Sequence, residues 1–294
     1  MMNKPEVQQN WGWFVILYVF LAGLGGGLFF FSFLMINELN EPARIGVCIG
    51  PVLVLIGTFM LLFDLGSPAR AIRLFTTRST LMTSWMVRGA WILTVFIIIG
   101  LSYALPAFSA FQWLPWSQDG AGRVLGFIAA LLSIVVMLYP GLLLGAIKSI
   151  PLWNTSALPL LFLASGLDTG MAGLVLISLA SPLTFDAPYL HLLAVIDIVL
   201  IFMVLVVLGA YLEMVRQTGE IAAVSVRLLL SPLFIWGVVV AGLLIPLVIL
   251  AYSIGVSDIQ TIRVLETITC ILILGGGLLL RYGVVKSGVR LPVI

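Results

Sequence analysis

Charged residues are scarce in this sequence. Only 9% of its 294 residues are charged and 62% are hydrophobic, and the mean hydropathy is +1.24. Soluble domains carry about 25% charged residues because water must wet their surface. This composition excludes a soluble globular protein. With so few charges on so apolar a sequence, we expect no nucleic-acid partner. The net charge of +2 has no meaning as a global field, because what counts in a membrane protein is the side on which each charge lies.

Cysteine and histidine are also rare. The two cysteines, Cys48 and Cys270, lie inside apolar runs and form neither a CxxC motif nor a disulfide framework. A bis-histidine haem needs two histidine ligands, and this sequence has a single histidine, His191. We therefore expect no metal site, haem or iron–sulfur cluster in this protein, so that any redox cluster must come from another polypeptide.

Long apolar runs dominate the sequence. A helix needs about 20 apolar residues to cross a bilayer core of about 30 Å, and lipid offers no hydrogen-bond partner to an open backbone. Eight runs of this kind extend approximately from Trp13 to Ile36, Gly46 to Phe63, Gly89 to Leu105, Val124 to Ile147, Leu158 to Ala180, Leu190 to Leu212, Pro232 to Ser253 and Val264 to Leu280. The sequence therefore predicts an all-α fold, a polytopic membrane helix bundle with eight transmembrane helices. Because the connections are short, we expect residues 1–294 to form a single integral membrane domain.

The basic residues are unevenly distributed between the two sides of such a bundle. Eight spans place both termini on one side, which we call the terminal face, together with the loops after the second, fourth and sixth spans. Eleven of the fourteen Lys and Arg residues fall there, and three, Arg44, Arg123 and Arg263, fall on the opposite face. The positive-inside rule then predicts cytoplasmic termini. Alternatively, a soluble partner docks on this face, since four of the eleven lie in the loop 64–88.

Four acidic residues are predicted at membrane depth, where ionisable groups are costly and commonly functional. Asp64 ends the second span, Asp168 and Asp197 lie within the fifth and sixth spans, and Glu266 lies near the start of the eighth. Each has a structural interpretation, which is pairing or capping near a helix end. The functional alternative is proton exchange, and the predicted burial of Asp168 and Asp197 makes them candidates for a proton route.

The segment DLGSPARAIRLF surrounds Asp64 with helix breaks and basic residues. Gly66 and Pro68 interrupt the helix, and Arg70 and Arg73 follow with a spacing that puts them on one face of a helical turn. Among the four acidic residues, Asp64 is therefore the one for which a purely structural role is least favoured.

Tyr139 is the other polar residue of interest near the terminal face. It precedes a proline inside the fourth span, within about two helical turns of the surface. One interpretation is an aromatic residue of the membrane interface. The other is a hydroxyl that donates a hydrogen bond to a carbonyl inside the bilayer, which binding of a quinone head group would require.

These segments resemble the NrfD family, which includes the polysulfide reductase membrane subunit. The resemblance covers nearly the whole sequence, and it is carried by WGWFVILYVFLAGLGGGL, DLGSPARAIRLF, SWMVRGAW, YPGLLLGAIKSIPLWNTSALPLLFLASGLDTG and LLLRYGVVKSG. It implies a quinone-reactive anchor of eight or more helices, without haem or cluster, for an iron–sulfur electron-transfer subunit. That subunit usually links to a molybdopterin or other catalytic subunit.

The resemblance also implies site residues. The quinone-pocket tyrosine of the family corresponds to Tyr139, and its acidic or histidine position at the end of the second span corresponds to Asp64. A pocket position that is histidine in the polysulfide reductase branch is Tyr18 here, and a neighbouring asparagine is Val15. We expect Tyr18, Asp64 and Tyr139 to line one quinone-binding pocket, with Asp64 and Tyr139 as the catalytic pair and menaquinone as the quinone.

Partner, orientation and alternative function complete the set of expectations. We expect Arg70, Arg73 and Arg78 to dock the iron–sulfur subunit. We expect the protein to lie in a prokaryotic inner membrane. Several family members place this face outside the cytoplasm, whereas the basic residues favour the cytoplasm even without the four in the loop 64–88. The competing function is secondary transport or ion translocation, for which carboxylates within the membrane and glycine-interrupted helices are also typical.

Overall fold

The computed structural model describes Gln8 and residues 11–64, 84–107, 111, 113–114, 120–181 and 187–290. Within these ranges the protein is helical and contains no β-strand. Eight of the described helices are long and apolar enough to cross a membrane. It is therefore a multi-pass membrane protein, and the predicted all-α bundle with eight transmembrane helices is confirmed.

The spans follow the apolar runs but extend beyond most of them. Their bounds are Trp13–Leu34, Glu41–Asp64, Trp85–Ala107 with a final 3₁₀ turn, Gly120–Gly145, Ala157–Ala180, Ala187–Arg216, Pro232–Ser253 and Ile259–Lys286. The eighth span begins at Ile259 rather than Val264, because its first turns are polar and carry no hydropathy signal. Asp258 caps this helix, since its carboxylate accepts a hydrogen bond of 2.9 Å from the backbone N–H of Thr261.

The first span is at the centre of the bundle. It packs against the second, fourth, fifth and eighth spans. Glycine allows the closest of these approaches, because a Cβ on Gly27 would overlap the backbone carbonyl of Gly166 in the fifth span. Helices in lipid associate through such small residues, because no hydrophobic effect drives apolar surfaces together there.

The region before and within the seventh span departs from regular α-helical spans. The connection between the sixth and seventh spans includes the helix Glu220–Leu229, which buries Ala222, Val226 and Leu229 and exposes its charged residues. The centre of the seventh span, Ile235–Leu244, is wound as a π-helix, a rare form that is frequent at functional sites.

The connection between the fourth and fifth spans is held to the terminal face by Trp153. Its indole N–H donates a 2.8 Å hydrogen bond to the carbonyl of Val284 in the eighth span, and its ring is fully buried. The hydroxyl of Tyr211 donates a 2.8 Å bond to the carbonyl of Leu152 beside it. The PLWN string that supports the family resemblance therefore has a structural role.

Candidate functional site

The two tyrosines predicted for the pocket lie together in the interior. Tyr18 of the first span is 0% exposed and Tyr139 of the fourth span is 1% exposed. The first and fourth spans pack against each other, and Tyr18 and Tyr139 lie about 8 Å and about 9 Å along their helices from the terminal face. Within the described part of the protein, neither hydroxyl has a hydrogen-bond partner. Because buried polar groups are nearly always paired, two unpaired hydroxyls on neighbouring helices indicate a place where a bound group could accept their hydrogen bonds.

Gly89 of the third span provides the space for the Tyr139 side chain. A Cβ built on Gly89 would overlap the hydroxyl oxygen and the adjoining ring carbons of Tyr139. A larger residue at position 89 would therefore displace the ring that carries the hydroxyl. Sequence reasoning placed Gly89 within SWMVRGAW and at the start of the third predicted span but gave it no role in the site, since no sequence pattern reports which helix faces a glycine.

Asp64 lies nearer the membrane surface than the two tyrosines. It is the last residue of the second span and is exposed. Gly57 of the second span faces Tyr18 of the first, and a Cβ added to Gly57 would lie 3.3 Å from the Tyr18 carbonyl oxygen. Asp64 follows Gly57 by two helical turns, which places it about 10 Å closer to the terminal face. That the three residues line one pocket stays a prediction.

The predicted docking residues Arg70, Arg73 and Arg78 lie outside the described residues. Of the cations in that loop, the structure describes Arg88, whose guanidinium carbon lies 4.9 Å from the centre of the Trp85 ring. The docking surface itself therefore stays a prediction from the sequence.

A buried arginine lies among the first, fifth and eighth spans. Arg281 is 0% exposed, and its Nη1 donates hydrogen bonds of 2.7 Å to the Ser165 hydroxyl and 2.8 Å to the Gly277 carbonyl. It also interacts electrostatically with the buried carboxylate of Asp168. The sequence count had placed Arg281 on the terminal face, just after an eighth span predicted to end at Leu280. Since Arg281 is buried within the longer helix, the basic residues on that face number ten rather than eleven.

The predicted proton-route residues are both buried and belong to one electrostatic group. Asp168 is 3% exposed and Asp197 is 0% exposed, and the two carboxylates interact with each other. Asp197 also interacts with Glu266, which is 1% exposed. A capping role for Glu266 was wrong, because the helix begins two turns earlier, its cap is Asp258, and neither Glu266 oxygen has a partner within the described residues.

Cys270 completes this group, and sequence reasoning missed it. Its sulfur lies with carboxylate oxygens of Asp197 and Glu266 in a set of atoms that are all within 4.8 Å of one another. The available signal was the spacing of Glu266 and Cys270, four residues apart and hence on one helix face. The third member comes from another helix, which only the fold could supply.

Comparison with known proteins identifies the family. A family model described as "Polysulphide reductase, NrfD" matches residues 3–292. The protein belongs to the NrfD family. It is 30% identical to the polysulfide reductase C subunit of Wolinella succinogenes, over 95% of this sequence and 94% of that protein. It is 27% identical to protein NrfD of Escherichia coli, over 62% of this sequence and 64% of that protein, and 26% identical to the NrfD homolog of Haemophilus influenzae, over 81% and 82%.

This membership confirms the resemblance that the sequence motifs indicated. It agrees with the eight apolar helices, since the match to the Wolinella succinogenes protein covers nearly the whole length of both proteins. The assignment rests on the sequence as a whole and gives no role to any single residue.

Proposed function

We propose that this protein is the quinone-reactive membrane subunit of an oxidoreductase complex, which exchanges electrons between the membrane quinone pool and an iron–sulfur partner subunit. The family supports the role of a membrane subunit, because the name of the Wolinella succinogenes relative describes one subunit of a reductase. The observation that carries the quinone assignment is that Tyr18 and Tyr139, on two helices that pack together, both have buried hydroxyls without a partner among the described residues.

These hydroxyls fit a quinone head group because its carbonyl oxygens accept hydrogen bonds and a tyrosine hydroxyl donates one. When bound, a quinone supplies the capacity to take up or release two electrons and two protons. Tyr139 donates to one carbonyl and Tyr18 is the second donor, while Gly89 leaves the Tyr139 ring its place between the helices. The surrounding apolar side chains keep water from competing for these bonds.

Proton exchange is assigned to carboxylates. Asp64, exposed at the end of the second span, exchanges protons between the site and the water at the terminal face. Asp168 and Asp197 provide a longer route through the interior, supported by their burial and their mutual interaction. We expect menaquinone as the quinone and a molybdopterin or other catalytic subunit as the further partner.

Quinol-linked electron transfer in membranes tests the site. We expect Tyr18→Phe and Tyr139→Phe to raise KM, because each removes one donor to the head group, and Asp64→Asn to lower kcat more than it raises KM. Tyr211→Phe is a matched control, since it also removes a buried hydroxyl, but one that donates to the carbonyl of Leu152. Normal turnover in all three site variants, with normal assembly of the complex, would eliminate the proposed pocket.

The docking proposal has a separate test. Lack of cluster-binding motifs in this sequence and the basic loop 64–88 support an iron–sulfur protein on the terminal face. Reversing Arg70 and Arg73 to Glu should release that partner from membranes, while Arg123→Glu on the opposite face should not. Retention of the partner by the double variant at moderate salt contradicts this docking face.

Location and orientation follow from the basic residues. We propose a prokaryotic inner membrane with both termini in the cytoplasm, supported by ten basic residues on the terminal face against three on the opposite face. A reporter that is active only outside the cytoplasm, fused after Ile294, should be inactive. Activity of the reporter would mean that the basic residues serve docking and that the face is exported.

A second candidate function is ion transport, which the buried carboxylates of Asp168, Asp197 and Glu266 favour. The anchor function requires a partner subunit, whereas transport does not. A neighbouring gene for a ferredoxin-like subunit with four cysteine motifs supports the anchor. Ion uptake by vesicles that contain this protein alone, without quinol or partner, supports transport.

A further inference from the structure

The group formed by Asp197, Glu266 and Cys270 has the composition of a metal-ligand set. Glu266 and Cys270 lie four residues apart on the eighth span, and Asp197 faces them from the sixth. One carboxylate oxygen from each acidic residue and the cysteine sulfur all lie within 4.8 Å of one another. The exposed fractions are 0%, 1% and 0%, so all three side chains are enclosed by the protein.

The charge of this group is not balanced by the residues around it. No oxygen of Asp197 or Glu266 has a hydrogen-bond partner within the described residues. The buried cation Arg281 directs its Nη1 to Ser165 and Gly277, and the carboxylate that it interacts with is that of Asp168. Among the described residues three buried carboxylates therefore accompany one buried cation, and Asp197 and Glu266 need either protons or a bound cation, because unpaired buried charge is strongly unfavourable.

Ser253 brings a neutral oxygen next to this group. Its hydroxyl, fully buried at the end of the seventh span, lies beside the Glu266 carboxylate. The hydroxyl hydrogen is already donated to the carbonyl of Leu250 at 2.8 Å. A hydroxyl has one hydrogen to donate and two lone pairs, so the Ser253 oxygen can serve as a ligand to a cation beside Glu266.

We propose that Asp197, Glu266 and Cys270 bind a divalent transition-metal ion of the Zn²⁺ class, with the Ser253 oxygen or a water molecule as the fourth ligand. Such an ion would pair with both carboxylates and with the Cys270 thiolate, whose proton is released when the metal binds. The cysteine sulfur selects this class, since Mg²⁺ and Ca²⁺ prefer oxygen ligands alone. Zinc bonds of about 2.0 to 2.3 Å in a tetrahedron separate ligand atoms by about 3.5 Å, so small rotamer changes close the observed group around an ion.

The ion reaches the site from the opposite face. Glu266 is two turns inside the eighth span, about 10 Å from its first residue, and Ser253 ends the seventh span on the same side. Metal and proton compete for the same oxygens of Asp197. A bound metal therefore blocks any proton route that uses this residue, so the site would control the proposed proton transfer without being part of quinone binding.

Metal binding is measured on the purified protein in detergent, with its partner subunits where they co-purify. After treatment with a chelator and desalting, the protein is loaded with Zn²⁺ or Co²⁺ and desalted again. We expect about one ion per protein molecule to be retained beyond the metal content of the partner subunits. The Co²⁺ form should show a thiolate-to-metal charge-transfer band, and Zn²⁺ should protect Cys270 from alkylation in a partly unfolded sample.

Matched cysteine variants locate the site. Cys270→Ser should abolish the charge-transfer band and weaken retention at least tenfold, whereas Cys48→Ser, which alters the other cysteine of the sequence, should leave both unchanged. Asp197→Asn and Glu266→Gln should each weaken retention while keeping side-chain shape. If these acidic variants do not assemble, protection of Cys270 in the unaltered protein still decides the question.

Three results would overturn the proposal. The first is no retained ion in the unaltered protein. The second is equal retention and an unchanged band in Cys270→Ser. The third is an infrared signal of protonated carboxyl groups that is lost in Asp197→Asn and Glu266→Gln and is unaffected by Zn²⁺. That result would mean that protons, not a metal ion, neutralise the two carboxylates. Quinol turnover is not used in this test, so its outcome is separate from that of the quinone site.

Discussion

Replacing Tyr139 by Phe should stabilise the quinone-free protein while it slows quinol turnover. The Tyr139 hydroxyl is buried and has no hydrogen-bond partner within the described residues. A buried hydroxyl without a partner costs about 1 to 3 kcal/mol of stability. Deleting it removes that cost and leaves the ring packed on Gly89, so we expect the free energy of unfolding to rise by up to the same amount.

Turnover should change in the other direction. In the bound state the hydroxyl donates to a carbonyl, and losing one such bond costs about 0.5 to 1.5 kcal/mol, or about 2-fold to 13-fold in kcat/KM. Quinone binding should also stabilise the unaltered protein more than Tyr139→Phe, because the variant binds quinone less tightly.

Thermal unfolding in detergent, with and without added quinone, measures both effects beside the turnover assay. Tyr211→Phe provides the matched comparison, since its hydroxyl donates to the Leu152 carbonyl at 2.8 Å. Its loss should destabilise the protein by about 1 to 3 kcal/mol, because a buried carbonyl is left unpaired. If Tyr139→Phe destabilises the quinone-free protein as Tyr211→Phe does, the Tyr139 hydroxyl is paired in the fold and the argument for the site fails.

Three further predictions concern packing, buried charge and pH. Gly89→Ala should destabilise the protein by about 1 to 3 kcal/mol and reduce turnover, because its methyl group overlaps the Tyr139 ring; unchanged thermal unfolding would contradict the close packing. Arg281→Gln should destabilise it by about 3 to 5 kcal/mol and lower the folded yield in detergent, since the buried carboxylates lose their described cation; a normal yield would show that another charge compensates them. Hydrogen bonds from Thr261 hold the pKa of Asp258 below its usual range, so the stabilisation is present above the ordinary carboxyl pKa and is lost as the pH falls through the lowered value. The difference in melting temperature between the unaltered protein and Asp258→Asn should therefore shrink in acid, and a difference that is constant with pH would refute this.

Hydropathy was sufficient to predict the number of spans but not their ends. The predicted start of the eighth span was Val264, whereas the helix starts at Ile259, because polar residues are acceptable where a helix emerges from lipid. The helix Glu220–Leu229 was missed for a related reason, since an amphipathic surface helix contains no continuous apolar run. Both differences concern the membrane surface, where composition alone does not distinguish helix from loop.

The candidate site shows a different limit of prediction from sequence. Tyr139 was identified by its position in the fourth span and Tyr18 by its match to a family position, and the fold buries both on helices that pack together. Nothing in the sequence indicates that their hydroxyls lack partners, because that property depends on every neighbouring helix. Arg281 illustrates the same point, since its position near the end of the eighth span suggested a surface cation, whereas the close approach of the first and fifth spans buries it.

The buried ionisable groups set a condition on any coupling between the quinone site and proton movement. Tyr139 lies about 9 Å from the end of the fourth span at the terminal face. Glu266 lies about 10 Å from the start of the eighth span at the opposite face. A route between these ends has Arg281, Asp168 and Asp197 as described ionisable groups at intermediate depth. Under the proposed function, Asp168→Asn should therefore separate proton uptake from quinol turnover, whereas the same change at the exposed Asp64 should slow both together.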